Sequence, residues 1–243
     1  LLAENKSYRA TFKLGITTDT LDAEGEVLLE RTVPQLTLAV LEDICDEFRG
    51  DIEQLPPMFS ALKKDGVPLY KLARQGKTVT REMRQVKISR LELVDFEPES
   101  VTIEVDCSKG TYIRTLVSDI GERLGCGAHL IALRRLKSGE FSIDECLTLE
   151  GLQQLESPSS ALHSLDGALR NYPAVQLDAA AANSLEFGIP PEMSQVVTET
   201  DLSPGQVIRL QIDNKLAAIA RYAPLRSKEK RGDFELVKVF VSH

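Results

Sequence analysis

The 243-residue chain has no apolar run approaching the roughly 18 residues of a membrane-spanning helix, which argues against a helical membrane protein. It has no C-x-x-C pair. Its four cysteines, Cys45, Cys107, Cys126 and Cys146, sit at long and irregular spacings. The one metal-like pattern is Cys126-Gly-Ala-His129, with Cys107 as a conceivable third ligand. A single C-x-x-H without a second close pair falls short of a zinc signature, so no metal is expected and the thiols read as reduced and mostly buried. There is no internal repeat and no low-complexity tract, which argues against a repeat array. The opening Leu1-Leu2-Ala3-Glu4-Asn5-Lys6 is short and polar rather than a basic-then-apolar signal, and a cytoplasmic location is expected. Positive charge is also in deficit. The formal net charge is −8, from 29 basic and 37 acidic residues, which taken alone argues against a polyanionic partner.

The distribution of that charge says otherwise. Residues 61–90 hold nine basic and two acidic residues, a local +7. Residues 109–137 hold six basic against two acidic, and 138–204 hold one basic against eleven acidic. A basic stretch on an acidic protein reads as a localised anion site or as accidental surface clustering.

Hydrophobic periodicity places the elements. Tyr8, Ala10, Phe12 and Leu14 alternate with Arg9, Thr11 and Lys13, the pattern of a half-buried strand. A second strand is expected over Val27–Val33. Thr37 can cap a helix carrying Leu38, Leu41, Ile44, Cys45 and Phe48 at helical spacing, closed by Gly50. Residues 51–80 lack a long apolar period and read as a basic excursion with one short helix, Leu69–Gln75, between Pro68 and Gly76. Gln85–Phe96 and Val101–Cys107 read as strands. Ile113, Leu116, Val117, Ile120 and Leu124 line a helix closed by Gly125. After Asn171-Tyr172-Pro173 come a short helix, Asp178–Phe187, and three strand-like runs: Gln206–Ile212, Leu216–Tyr222 and Phe234–Val241. Two domains are expected, 1–168 and 169–243, the second a small β-barrel.

Arg114 stands near the start of the Ile113 helix, where a cation does not favour the helix dipole. Its placement points to a carboxylate or phosphate partner, or to an exposed arginine over the first turn. Tyr8 and Tyr112 each offer a stacking face for a base, or a core ring with a satisfied hydroxyl.

Several motifs together resemble the TruB-type tRNA pseudouridine synthases. Lys6-Ser7-Tyr8-Arg9 resembles that family's K-x-Y strand. Gly15 to Gly25, with Thr18-Asp19-Thr20 and Asp22, resembles its G-x-x-T-D-T-x-D-x-x-G loop. Phe48-Arg49-Gly50 and Pro56-Pro57-Met58-Phe59-Ser60-Ala61-Leu62-Lys63 resemble the lead into its RNA-gripping insertion, which Gly66, Tyr70, Ala73, Arg74 and Gly76 continue. Gly110-Thr111-Tyr112-Ile113-Arg114-Thr115 and Leu124-Gly125-Cys126-Gly127-Ala128-His129 through Leu133-Arg134-Arg135 complete it. The C-terminal unit resembles a PUA-type RNA-binding domain only loosely.

The resemblance implies an α+β fold: a mixed, largely antiparallel sheet flanked by helices, an insertion over about 51–80, and a small C-terminal barrel-like domain. It implies isomerisation of uridine 55 in the tRNA T arm on a flipped base, with no cofactor, no metal and no obligate protein partner. Tyr8 would stack on the base and take the C5 proton. Arg114 would pair with the catalytic aspartate, and Tyr112 and Leu133 would line the uridine pocket. Lys63, Lys64, Arg74, Lys77 and Arg134 would hold RNA. The family's nucleophile is the aspartate of a G-x-x-D-P-x-A-T-G motif that has no match here. The expectation is an N-terminally incomplete sequence that does not turn over as written. The readings left beside it are a non-catalytic T-arm binder and an enzyme acting on a small phosphorylated substrate.

Overall fold

A computed structural model describes residues 4–198, 200–225 and 232–240. Contacts divide the chain into two compact units, Leu1–Cys146 and Leu147–His243.

In the first unit, β1 (Lys6–Leu14) runs into a ribbon of β2 (Ile16–Thr18) and β3 (Val27–Glu30), and α1 (Leu38–Glu47) leads to β4 (Gly50–Gln54). A second ribbon, β5 (Lys63–Lys64) and β6 (Val67–Pro68), precedes α2 (Leu69–Ala73). Then follow β7 (Arg84–Glu97), β8 (Ser100–Cys107), α3 (Ile113–Arg123), β9 (Ala128–Ser138) and β10 (Phe141–Ser142). The main sheet has the order β10-β9-β1-β8-β7-β4, and every pairing in it is antiparallel.

Alternation decides which face is covered. On β1, Ala10, Phe12 and Leu14 are buried, and on β8 so are Val101, Ile103, Val105 and Cys107. Leu41 and Cys45 of α1, with Ile113, Leu116, Val117 and Ile120 of α3, close the core on that face. Each large apolar side chain buried this way contributes roughly 1.5–3 kcal/mol. The opposite face is polar: Arg9 pairs with Glu104, Arg90 with Glu104 and Asp106, and the Thr11 and Thr102 hydroxyls meet at 2.9 Å. Gly121 lets α3 lie on β9, since a Cβ there would sit 2.3 Å from the Ala128 nitrogen.

The second unit holds α4 (Leu149–Gln153), α5 (Leu165–Ala168), β11 (Ala174–Leu177), α6 (Ala179–Glu186), β12 (Val196–Val197), β13 (Val207–Ile212), β14 (Lys215–Tyr222) and β15 (Phe234–Val239). Its sheet order is β12-β11-β13-β14-β15 around Val175, Leu185, Ile208, Leu210 and Phe234. The β13–β14 turn places Asp213 and Asn214 at φ 49° and 61°, the left-handed pair that a tight hairpin demands.

Contacts divide the chain at Cys146/Leu147, where a domain boundary at 168/169 was expected; Asp166 of α5 accepts from Arg209 and Gln211 of β13, both at 2.6 Å. Three expectations are corrected. The C-terminal sheet is open: among the described residues its edge strands β12 and β15 do not pair. The excursion begins after Gln54, since β4 is an edge strand of the main sheet against β7. The strand expected over Val27–Val33 stops at Glu30. Val241, the expected end of the last strand, lies outside the described residues.

Candidate active site

The polar loop after β2 is folded onto itself. Asp22 Oδ1 accepts from the Thr20 hydroxyl at 2.6 Å and from the Glu24 N–H at 3.2 Å. Asp19 accepts from the Glu26 N–H, and the Thr18 hydroxyl donates to the Asp22 carbonyl. Gly25 closes the loop, because a Cβ there would sit 2.3 Å from the Thr20 hydroxyl. The loop is pinned to β9, where Leu130 N–H donates to the Leu21 carbonyl at 3.0 Å and Asp22 bridges Leu130.

Arg114 reaches this loop from the first turn of α3. Its Nη1 donates to Asp22 Oδ2 at 2.7 Å and to the Thr20 carbonyl at 3.2 Å. Its Nη2 donates to the Phe59 carbonyl at 2.8 Å, at the root of the insertion. The planar guanidinium presents its N–H donors in fixed, diverging directions from two nitrogens and so spans acceptors that the single nitrogen of an ammonium would have to reach from one point. Burial alone would raise the Asp22 carboxyl. The bonds from Thr20, Arg114 and Glu24 outweigh it and hold Asp22 below the usual carboxylate range.

The sheet supplies the floor. Tyr8 of β1 stands opposite Arg135 of β9, and Ala10 stands opposite Leu133. Cross-strand partners share a face, so Tyr8, Leu133 and Arg135 lie together on the core side, at its uncovered end. Tyr8 is half-buried, and Leu133 is 47% exposed. Burial pushes the Tyr8 phenol up, with Cys107 adding to the rise and Arg135 opposing it. At neutral pH Tyr8 is therefore a neutral phenol, a stacking surface with a hydrogen-bond donor.

The insertion overhangs this region. Lys64 donates to the Thr80 carbonyl at 3.1 Å, and Arg74 lies 5.6 Å from the Tyr70 ring centre. Lys63 and Lys77 carry no ion pair, and none of the insertion's cations pairs with a carboxylate among the described residues. A cavity of about 220 Å³ between the acidic loop and the insertion is lined by Asp19, Met58, Phe59, Gly76 and Lys77. A larger cavity, about 630 Å³, lies elsewhere, against Lys13, Arg31, Pro34 and Phe96, and holds none of the sequence-predicted residues.

The structure thus groups Arg114 with Asp22 and Phe59, and Tyr8 with Leu133. Arg134 is set apart: it stands opposite Arg9 and shares the polar face with it, whereas its neighbour Arg135 shares Tyr8's face. Tyr112 precedes α3, its backbone held by the buried Gln54. Sequence reasoning did not promote Asp22, Gln54 or Arg135. For Asp22 the T-D-T-x-D loop was the available signal; for Gln54 there was none. Cys126 is buried, and His129 Nδ1 donates to the Ile16 carbonyl at 3.0 Å.

Comparison with known proteins decides the family. Residues 1–113 match the model of the TruB family pseudouridylate synthase N-terminal domain, and 114–172 that of the tRNA pseudouridylate synthase B C-terminal domain. The tRNA pseudouridine synthase B of Syntrophotalea carbinolica is 45% identical over 242 residues, covering 99% of this chain and 79% of that protein. The chain belongs to the TruB pseudouridylate synthase family. Members of this family are isomerases. The corresponding protein of Pseudomonas aeruginosa is 50% identical over 188 residues, 75% of this chain, and those residues span 62% of its own length. The TruB fold is shared more widely. A chain of a Cbf5–Nop10–Gar1 complex superposes with a TM-score of 0.71 at 24% identity, over 99% of this chain and 68% of that one. One from an H/ACA RNP bound to a substrate RNA containing 2′-deoxyuridine gives 0.72 at 22%, over 100% of this chain and 68% of that one.

Proposed function

We propose that this chain forms the RNA-binding and orienting body of a tRNA pseudouridine synthase acting on uridine 55 of the T arm. The observation that carries the reading is Arg114, held on the Asp22 carboxylate and two carbonyls beside a floor of Tyr8 and Leu133. A base within folded RNA must leave its stack before its ring can react. Tyr8 supplies an aromatic face for the extruded base, and Tyr112 and Leu133 line the pocket. The exposed cations Lys63, Lys64, Arg74 and Lys77 hold the phosphates of the T arm.

The reaction is redox-neutral. The bond from uracil N1 to ribose C1′ breaks, a bond from C5 to C1′ forms, and the C5 proton leaves while N1 gains one. No cofactor is needed. Tyr8 is the proposed proton acceptor: its phenol first gives up its own proton to water, and Arg135 beside it offsets part of the burial that opposes that loss. Asp22 is not the proposed nucleophile: Arg114, Thr20 and Glu24 already occupy both its oxygens. Its role is to orient Arg114. Turnover requires, in addition, a carboxylate nucleophile of the family's D-P-x-A-T-G kind. That motif is absent from residues 1–243, which favours a second reading for a protein made of these residues alone: a T-arm binder without chemistry.

Nucleoside analysis of unmodified tRNA after incubation tests both. A protein of these 243 residues alone is expected to bind the T arm and leave uridine 55 unchanged. Pseudouridine at another position would overturn the substrate assignment.

A further inference from the structure

Gln54 ends β4 and is 1% exposed. Its side-chain amide makes two bonds to one residue. Oε1 accepts from the Tyr112 N–H at 2.7 Å, and Nε2 donates to the Tyr112 carbonyl at 3.1 Å. Tyr112 is the cap residue of α3 and has no side-chain cap of its own. The N–H that Gln54 binds is the cap residue's, one of the donors a helix start leaves free, so the Oε1 bond caps α3. Capping does not account for the second bond, because the Tyr112 carbonyl already accepts from the Leu116 N–H of the helix. What the contact does is fix the entry of α3 from both sides of a single residue.

Two residues further on, Arg114 donates to the Phe59 carbonyl. Phe59 lies five residues past Gln54, across Pro56-Pro57, whose rings restrict φ and stiffen the span. Gln54, Phe59, Arg114 and Tyr112 thus close a ring of chain and hydrogen bonds. It joins the end of β4, the root of the insertion and the start of α3.

We propose that Gln54 is a positioning residue for Arg114: by clamping both backbone groups of Tyr112 it sets where the guanidinium meets Asp22. At neutral pH an amide of this length offers one donor and one acceptor to the pair, whereas an ionised carboxylate offers acceptors alone. The assignment rests on the proposed uridine isomerisation for its kinetic test alone.

Gln54→Met keeps the volume and removes both bonds. In the active protein it is expected to lower kcat about ten- to a hundredfold. T-arm affinity and KM should stay within about threefold. Gln54→Glu restores one donor and one acceptor only when its carboxyl is protonated. Its kcat relative to the parent should therefore climb as pH falls from 8 to 5.5. In a double-mutant cycle with Arg114→Lys, the second loss should be well below multiplicative. An unchanged kcat, a parallel loss of affinity, a flat pH ratio or full multiplicativity would each overturn the assignment. Should a parent that carries the family's D-P-x-A-T-G aspartate form no pseudouridine, the reaction reading fails instead. Amide exchange then judges the clamp in the 243-residue chain. Gln54→Met should raise exchange at Tyr112 through Thr115 about tenfold and leave β1 and β8 unchanged; equal exchange in both proteins overturns it.

Discussion

Two basic regions stand side by side in the first unit, and they are built in opposite ways. Arg114, in the first turn of α3, has three acceptors and a fixed direction, two of them in a loop folded onto its own hydrogen bonds. The insertion's cations are exposed or lean on a backbone carbonyl or an aromatic ring, and none is neutralised by a carboxylate among the described residues. A cation held at one angle can align a partner for chemistry. Cations left free attract phosphates and adapt to them. The same residue types at similar local density therefore serve two purposes, and the hydrogen-bond partners tell them apart.

The comparison breaks most visibly at Arg114. In a protein that also carries the family's nucleophilic aspartate, Arg114→Lys should lower kcat about a hundredfold or more, since a point charge replaces the fork, and change T-arm affinity about threefold or less. Asp22→Asn should follow it. Equal loss of rate and affinity would make Arg114 an RNA contact. The converse variant replaces Lys63, Lys64, Arg74 and Lys77 by Gln. It should weaken RNA binding about tenfold or more and shrink the salt slope by roughly 0.7–0.9 for each lost phosphate contact. Rate at saturating RNA should hold. Tyr8→Phe keeps the ring and removes the hydroxyl. It should leave affinity unchanged and abolish most turnover; normal turnover would end the proton-transfer role while leaving stacking intact.

How much of this was legible follows from where the signals live. β1 and α3 bury one regular face each, so Ala10, Phe12 and Leu14, and Ile113, Leu116, Val117 and Ile120, announce them. β9 did not announce itself. Ala128, His129 and Leu130 are all buried, and the next five residues are all exposed, so no alternation shows. β4 is an edge strand with a single apolar residue, Ile52. The site's bonds join residues far apart: Arg114 to Asp22 across 92 positions, Gln54 to Tyr112 across 58. Local pattern carries nothing about such pairs. The motif resemblance reached the right loop, and only the fold could say which carboxylate Arg114 meets. The second unit's boundary was hidden for the same reason, since Asp166 is tied to Arg209 across 43 positions.

A smaller effect tests whether α3 is as well settled on its other turns as at Arg114. Burial, with Glu122 adding, pushes the Asp119 carboxyl up to about 6 from its ordinary 3.8. The folded state thus holds that proton more tightly than the unfolded chain. Stability declines as pH rises between these two values, and the penalty is complete above the higher one. Asp119→Asn should gain about 1 kcal/mol at pH 7.5, allowing for solvent screening of a part-exposed group, and nothing below pH 4. Thermal melts at both pH values check it. The smallest effect is expected on the polar face, where Arg9→Gln should cost less than about 1 kcal/mol, because the guanidinium of its pair with Glu104 is half-exposed.

The most direct test of the division between fixed and free cations is the salt dependence of T-arm RNA affinity, measured for the chain and for the charge-removing variant Arg114→Gln. About five phosphate contacts give a log–log slope near −3.5 to −4.5. The account predicts that slope for both proteins, because Arg114 is committed to Asp22, Thr20 and Phe59. A flat response in the parent, or a slope smaller by about one unit in the variant, would contradict it.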